Sequence, residues 1–134
     1  MLWPLALLAA ADQMNNFHID LKGRTPEMKF SSAAETPTRL KNFHAFGCPV
    51  YVLNARLQDA GGPGPPKWDP RSRLGIYVGH SPSHAGSVAL VLNPKTGLVS
   101  SQFHVVFDDD FETVPHLRAG TMPENWSQLV QNNK

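Results

Sequence analysis

Cysteine is almost missing from this chain, and its scarcity excludes several kinds of small protein. Cys48 is the one cysteine among 134 residues, so neither an internal disulfide nor a cysteine-rich zinc site is available. A reducing, intracellular compartment is consistent with this composition. Proline and glycine, by contrast, are plentiful, with twelve and ten copies. They predict several turns and long loops, and they argue against a helical bundle.

The sequence also lacks a long apolar run. Residues 5–11 are apolar, but no Lys or Arg precedes them, and the run is well short of the roughly 20 residues that a membrane span needs. We therefore expect a helix here and no membrane partner, with a signal peptide as the alternative. The length of the chain predicts one domain with a modest core.

Positive and negative side chains are nearly equal in number, but they are unevenly distributed along the chain. The net charge is +1, yet residues 22–73 contain nine Lys/Arg against four Asp/Glu, and residues 98–134 contain two against five. A basic first half followed by an acidic end is typical of a polar surface for phosphates. Ordinary solvated charge is the alternative.

Helical patterns are confined to the first third of the chain. Residues 4–16 predict one helix, with Pro4 in its first turn. Its more apolar stripe contains Leu7, Ala10, Ala11 and Met14, and this helix has no obvious partner within the chain. Thr25 is predicted to cap a short second helical turn that has Pro26 at its first position.

Strand patterns follow from residue 46 onward. The predicted strands are 50–53, 73–81, 88–92 and 98–107, with a long loop at 55–69 and a hairpin turn at 93–97. In the second strand, Leu74, Ile76 and Val78 alternate with Gly75, Tyr77 and Gly79. The first three predict the buried face, and the two glycines predict a bulge or bend in a curved strand. We therefore expect a mainly β fold, a small antiparallel barrel of four or five strands with an N-terminal helix and an irregular C-terminal tail.

No constellation in the sequence predicts catalysis or metal binding. Asp108, Asp109, Asp110 and Glu112 follow the last strand, but consecutive strand residues point to opposite faces, so we interpret them as a strand-ending turn. His80 and His84 flank Pro82 in a turn without a third ligand nearby. No residue that could activate Cys48 as a nucleophile is recognisable in the sequence, so we expect Cys48 to be a small buried residue of the core. Catalytic residues, metal ligands and cofactors are all predicted to be absent.

A cluster of cations with one aromatic residue is the candidate functional site. Lys67, Trp68, Arg71 and Arg73 lie within seven residues at the entrance of the second strand, and Lys95 in the hairpin turn joins this set. Small barrels often bind nucleic acid through a basic groove with an aromatic side chain. The alternative is a solvated loop in which Trp68 covers one end of the core.

Several short motifs also occur in a distinctive order. They are Leu2-Trp3 before an Ala-rich helix, Gly23-Arg24-Thr25-Pro26-Glu27, the run from Leu40 to Val52 with Phe46-Gly47-Cys48 inside it, Lys67, Arg71 and Arg73 before a Gly-x-Tyr-x-Gly strand, and His104-Val105-Val106-Phe107-Asp108-Asp109. This ordered set, over roughly residues 2–112, resembles the integrase region of copia-type LTR retrotransposon polyproteins. The chain departs from the family pattern near residues 88–90, where the usual Tyr of the third strand is replaced.

The resemblance implies an SH3-like barrel after an RNase H-like integrase core. It divides the chain into a helix remnant of that core (1–22), a connector (23–42), the barrel (43–112) and a tail (113–134). The family's Asp-Asp-Glu catalytic residues and its zinc-binding module lie upstream, so the chain is expected to be a non-catalytic fragment. Parent polyproteins of this kind also carry protease, reverse transcriptase and RNase H activities.

The resemblance also implies partners and a location. The family module supports DNA binding and assembly of the integration complex, through low-specificity phosphate contacts and other integrase subunits, in cytoplasmic virus-like particles and the nucleus. No small-molecule substrate is expected. The alternative hypothesis is a protein-interaction barrel, in which Trp68, Tyr51 and Tyr77 form an apolar patch for a partner subunit and the cations lie at its rim.

Overall fold

The computed structural model describes residues 2–34, 40–58, 61–64, 66–68 and 70–117. Most of the predicted tail, including a short helix proposed near residues 124–130, lies outside these ranges. So do residues 35–39 and parts of the 55–69 loop. Within the described ranges, none of the helices has both the length and the apolar content that a membrane crossing requires.

Helix α1 spans Trp3–Phe17 and α2 spans Pro26–Ser31, close to the predicted positions. The Thr25 hydroxyl accepts a hydrogen bond from the Met28 N–H at 3.2 Å, which satisfies one of the free donors at the start of α2. Three shorter helical pieces follow, at Leu40–Asn42 (a 3-10 turn), Ala55–Gln58 (α3) and Val114–Leu117 (α4).

The prediction that α1 has no partner within the chain is wrong. Its Ala9 side chain approaches the second strand at Gly79, where a Cβ added to the glycine would lie 3.5 Å from that of Ala9. At the end of the helix, the ring of Phe17 lies 4.6 Å from that of Phe43. A search for apolar stripes misses this contact because the face of α1 toward the strand mixes Leu5 and Ala9 with the polar Asp12. Leu7 and Met14, in the more apolar stripe of the helix, are exposed.

Five strands form one antiparallel sheet. They are β1 (Pro49–Leu53), β2 (Ser72–His80), β3 (Ala89–Leu92), β4 (Val99–Gln102) and β5 (Val105–Phe107). Their order across the sheet is β4-β3-β2-β1-β5. The prediction of one continuous strand over 98–107 is wrong, because Phe103 and His104 form a bend after which β5 pairs with β1 instead of continuing beside β3.

This bend requires the sheet to close. In a flat five-stranded sheet the two edge strands would lie about 19 Å apart, at about 4.8 Å per neighbour. The three peptide units from Gln102 to Val105 span at most about 11 Å. The sheet must therefore curl until its edges approach each other, which confirms the predicted small barrel of four or five strands.

The core contains six buried residues: Cys48, Val50, Val52, Tyr77, Ala89 and Val91. The assignment of faces in β2 is therefore wrong for most of the strand. Tyr77 and Gly75 point into the barrel, whereas Leu74 and Ile76 are only half-buried on its outer face. Val78 is buried, as predicted, because that part of the outer face lies beneath α1.

The two glycines of β2 have different physical roles. Gly79 has a φ of 117° and lies where the register between β2 and β3 shifts, between Tyr77 and His80, which confirms the predicted bulge. Gly75 instead makes room for the core, since a Cβ at this position would overlap Cγ1 of Val91.

We expect the substitution Gly75→Ala to lower the free energy of unfolding by about 2 kcal/mol, because the added methyl group overpacks a filled core. Urea titration followed by tryptophan fluorescence measures this. Gly64→Ala is the matched control, since a Cβ there meets nothing within 4 Å, and it should stay within about 0.5 kcal/mol of the parent. Equal stabilities of the two variants would contradict the close approach of Gly75 and Val91.

Candidate nucleic-acid interface

Arg71 and Arg73 lie where β2 enters the barrel. The carbonyl of Arg71 accepts a hydrogen bond from the Asn54 N–H at 2.8 Å, and Arg73 is paired with Val52 across the sheet. These backbone contacts fix both arginines at the end of the barrel where β1 finishes. Both side chains are exposed.

Lys95 reaches the same end of the barrel from the hairpin between β3 and β4. The Asn93 side chain accepts from the Lys95 N–H at 3.0 Å, and the Gly97 N–H donates to the Asn93 carbonyl at 2.8 Å, which confirms the predicted turn. Because Ile76 pairs with Leu92, the antiparallel register carries this turn toward the start of β2.

Lys67 and Trp68 complete the predicted set. Trp68 is 89% exposed, so the interpretation in which it covers one end of the core is wrong. The Lys67 ammonium lies 5.5 Å from the centre of its ring, within cation–π range. We call Lys67, Trp68, Arg71, Arg73 and Lys95 the basic end. All five predicted site residues are exposed, and three of them are fixed at one end of the sheet by the strand register.

A cleft of about 340 Å³ opens beside Arg71 on the outer face of β1 and β5. Seven residues line it: Tyr51, Leu53, Arg71, Ser72, His104, Val105 and Val106. Its lining is mostly apolar, and its polar residues are Tyr51, Arg71, Ser72 and His104. Sequence reasoning missed Tyr51 and His104 as neighbours of the arginine, because the pairing of β1 with β5 is not visible in the sequence.

Negative charge is concentrated at the opposite end of the barrel. The Asp108 N–H donates to the Pro49 carbonyl at 3.0 Å, which places the acidic turn at the start of β1, a strand length from Arg71. Among the described residues, no carboxylate forms an ion pair with a cation of the basic end. The basic end is therefore not neutralised by the described acidic side chains.

The acidic turn has a structural role, as predicted. The buried carboxylate of Asp108 accepts from the N–H groups of Glu112 and Thr113 at 3.0 and 2.8 Å, and from the Thr113 hydroxyl at 2.6 Å. Asp109 accepts from the Ala45 N–H at 2.7 Å and lies 2.8 Å from the His44 ring. The contacts of Asp109 fasten the end of β5 to the segment before β1, and those of Asp108 hold the turn after β5.

We expect Asp108→Ala to lower the free energy of unfolding by roughly 2–4 kcal/mol, because it leaves buried donors without an acceptor. Chemical denaturation of the full chain is the measurement. Asp110→Ala removes an equal charge from an exposed neighbour and should change stability by less than about 0.5 kcal/mol. If both variants were equally stable, the structural role of Asp108 would be refuted.

The two histidines considered as zinc ligands are occupied by other partners. His84 Nδ1 lies 2.6 Å from the Ser81 hydroxyl, while His80 Nδ1 lies 3.2 Å from the Tyr77 hydroxyl and 3.6 Å from Asp12. Burial lowers the pKa of His80 and favours its neutral form. In the part of the chain that the structure describes, no group of three or more His, Cys, Asp or Glu side chains is arranged to hold a metal ion.

Cys48 is fully buried in the core, as predicted for a filler residue. Burial, followed by the charges of Asp109 and Asp108, raises its pKa to about 12. At pH 8 only about one thiol in ten thousand would then be ionised. This arrangement opposes any nucleophilic role.

We therefore expect Cys48 to react with a disulfide reagent such as dithionitrobenzoate at least about 100-fold more slowly in the native chain than in guanidinium. The reaction is followed by absorbance, with glutathione as the exposed-thiol reference. Equally rapid labelling of the native chain would show that Cys48 is accessible and ionised.

The apolar patch of the alternative hypothesis does not form as predicted. Tyr77 is 2% exposed, and burial raises the pKa of its phenol. It points into the barrel because it shares the inner face of β2 with Gly75. Trp68 is exposed on a loop and Tyr51 lines the cleft, so only these two of the three aromatic residues are accessible.

The strand order and the curled five-stranded sheet define the chain as a small SH3-like β module. The family model described as "Retroviral polymerase SH3-like domain" matches residues 48–118, just over half of the chain, and the chain belongs to this family. It is therefore a module of a retroviral or retrotransposon Pol polyprotein, of a non-catalytic kind. Comparison with curated proteins and with solved structures found no match.

Proposed function

We propose that this chain is the SH3-like module of a copia-type retrotransposon integrase, and that its basic end binds DNA through the phosphate backbone. The observation that carries this proposal is the separation of charge along the barrel. Exposed cations gather where β2 begins, and the acidic turn lies at the other end of β1. A phosphate backbone that approaches the basic end meets attraction there, with the nearest acidic cluster a strand length away.

The chemistry of the basic end favours phosphate contacts over base recognition. Arg71 and Arg73 each present a planar fork of donors that matches phosphate oxygens. Both lie at the start of one strand, β2, whose pairing with β1 fixes their backbone. Contacts of this kind position a protein on DNA without reading its sequence, and they weaken steeply with salt.

The wider proposal follows the family resemblance. Helix α1 corresponds to the end of an integrase catalytic core, the catalytic carboxylates belong to an upstream part of the polyprotein, and the barrel contributes DNA contact and assembly of the integration complex. In this proposal the chain needs no cofactor or small-molecule substrate. It would act in virus-like particles and in the nucleus.

We expect the triple variant Lys67→Ala, Arg71→Ala, Arg73→Ala to bind a short DNA duplex more weakly than the parent. The slope of log affinity against log salt concentration should become less steep by up to about 2.7, since each lost phosphate contact removes about 0.9 from it. Fluorescence anisotropy across a salt series measures both quantities.

The matched control removes three other exposed cations, Lys22, Arg24 and Lys41, and so changes the net charge by the same amount. It should retain most of the parental slope. Equal slopes for the two triple variants would mean that binding follows net charge alone, and the assignment of the basic end would fail.

The accessible pair Trp68 and Tyr51 supports a second candidate function, a barrel that binds a protein partner without contacting DNA. Under this alternative, Trp68→Ala would abolish capture of the partner, and neither the parent chain nor the triple variant would bind the DNA duplex. Light scattering with and without DNA separates the two functions, because only the first predicts a complex with DNA.

A further inference from the structure

The cleft beside Arg71 is held open by backbone hydrogen bonds on both sides of the end of β1. The Leu53 N–H donates to the His104 carbonyl at 3.0 Å, and the Asn54 N–H donates to the Arg71 carbonyl at 2.8 Å. The outer face of β1 is therefore the floor, with the start of β2 on one side and the start of β5 on the other. Because all three strands belong to one paired sheet, the cleft is formed before any ligand arrives.

The lining of the cleft combines apolar surface with a cation at one end. Leu53, Val105 and Val106 supply aliphatic surface, and Tyr51 adds an aromatic residue. Arg71 is exposed and belongs to the basic end. Among the described residues that line the cleft, none is acidic. This chemistry matches a ligand that has a flat, largely apolar group joined to an anion, whereas a cationic ligand would find no carboxylate to pair with.

Tyr51 lies at the far end of the cleft from Arg71 and is fixed there. It precedes Asn54, the partner of Arg71, by three residues, which is about 10 Å along a strand. Its phenol hydrogen-bonds to the side chain of Thr113, and the Thr113 hydroxyl in turn donates to Asp108 at 2.6 Å. The aromatic side chain is therefore already ordered, so binding to it costs little conformational entropy.

The size of the cleft restricts what can enter it. Its volume of about 340 Å³ is at the lower end of the range of roughly 300–1,000 Å³ that small-molecule sites occupy. A single nucleobase with its sugar is a group of this class. A base within a duplex cannot use the cleft, because stacking covers its faces and only its edges reach the grooves.

We propose that the cleft binds one unpaired nucleobase of DNA against Tyr51, while Arg71 contacts the phosphate beside that base. The proposal rests on the DNA binding proposed above and specifies the class of DNA, a strand with unpaired nucleotides next to a duplex. Aromatic side chains beside a basic surface bind unpaired bases with little regard to sequence, since every base has a flat π face. The Ser72 hydroxyl and the His104 imidazole can hydrogen-bond to the edge of the base.

The test compares three fluorescent DNA probes that share one short duplex. The first has blunt ends, the second carries a short overhang of unpaired thymidines, and the third carries the same overhang made of abasic nucleotides. The second and third probes have equal numbers of phosphates, so any difference in their affinity comes from the bases. Fluorescence anisotropy with the full chain measures all three.

We expect the thymidine overhang to bind about 5- to 150-fold more tightly than the abasic overhang, because one stacked base contributes a factor of this size. This ratio of affinities should stay constant across a salt series, although each affinity falls as salt rises. The constancy separates base stacking from phosphate contact.

Substitutions at Tyr51 assign the ratio to the cleft. Tyr51→Leu removes the ring and should bring the ratio close to one. Tyr51→Phe keeps the ring and should keep the ratio, although it also loses the hydrogen bond to Thr113, so it controls for any loosening of the fold. Phe30→Leu is the matched control for removal of an aromatic side chain, since Phe30 is 90% exposed on α2, and it should retain the parental ratio.

The possible results separate this proposal from the proposed function. Equal affinities for the thymidine and abasic overhangs would overturn the binding of a base and leave the phosphate contacts of the basic end intact. A ratio that survives in Tyr51→Leu but is lost in Trp68→Leu would place the base on Trp68 and would also overturn it. If the parent chain bound none of the three probes, both proposals would fail.

Discussion

Two residues between β4 and β5 impose the constraint on which this fold depends. Phe103 and His104 connect strands at opposite edges of the sheet, and the short connection forces those edges together. Closure places β5 beside β1, so the end of β5 and the start of β1 meet at one end of the barrel. The acidic turn is carried to that end, and the arginines of β2 lie at the other.

The curling of the sheet also limits the size of the side chains that fit in the core. A curled sheet of short strands has a narrow interior, and the residues that face it must share little space. Val91 occupies the volume above Gly75, so a side chain at that position would collide with it. Tyr77 fills the next inward position, with its hydroxyl near His80 at 3.2 Å, and this takes it out of any surface patch.

Helix α1 packs against the outer face of the barrel. It packs on β2 through Ala9 and Asp12, and this contact determines which side of the helix remains exposed. The retroviral polymerase SH3-like domain of the chain, residues 48–118, presents the basic end, which we propose for phosphate contacts.

Local chemistry alone was enough to predict much of this protein. The cap at Thr25, the turn at residues 93–97, the bulge at Gly79 and the positions of the first three strands depend on contacts between near neighbours, which short motifs encode. The exposed cations of the basic end were also identified in this way, because charged side chains on a strand entrance rarely become buried.

Other features were decided by the tertiary structure. The break at Phe103 and His104, the inward face of Tyr77 and the contact of Ala9 with Gly79 depend on which distant elements meet, and period-two or helical patterns contain no such information. In β2 both faces are covered in part, the inner one by the barrel and the outer one by α1, so alternation could not identify the core side. The sequence by itself determined where strands and turns occur, while closure of the sheet determined which side chains are buried and which charges lie together.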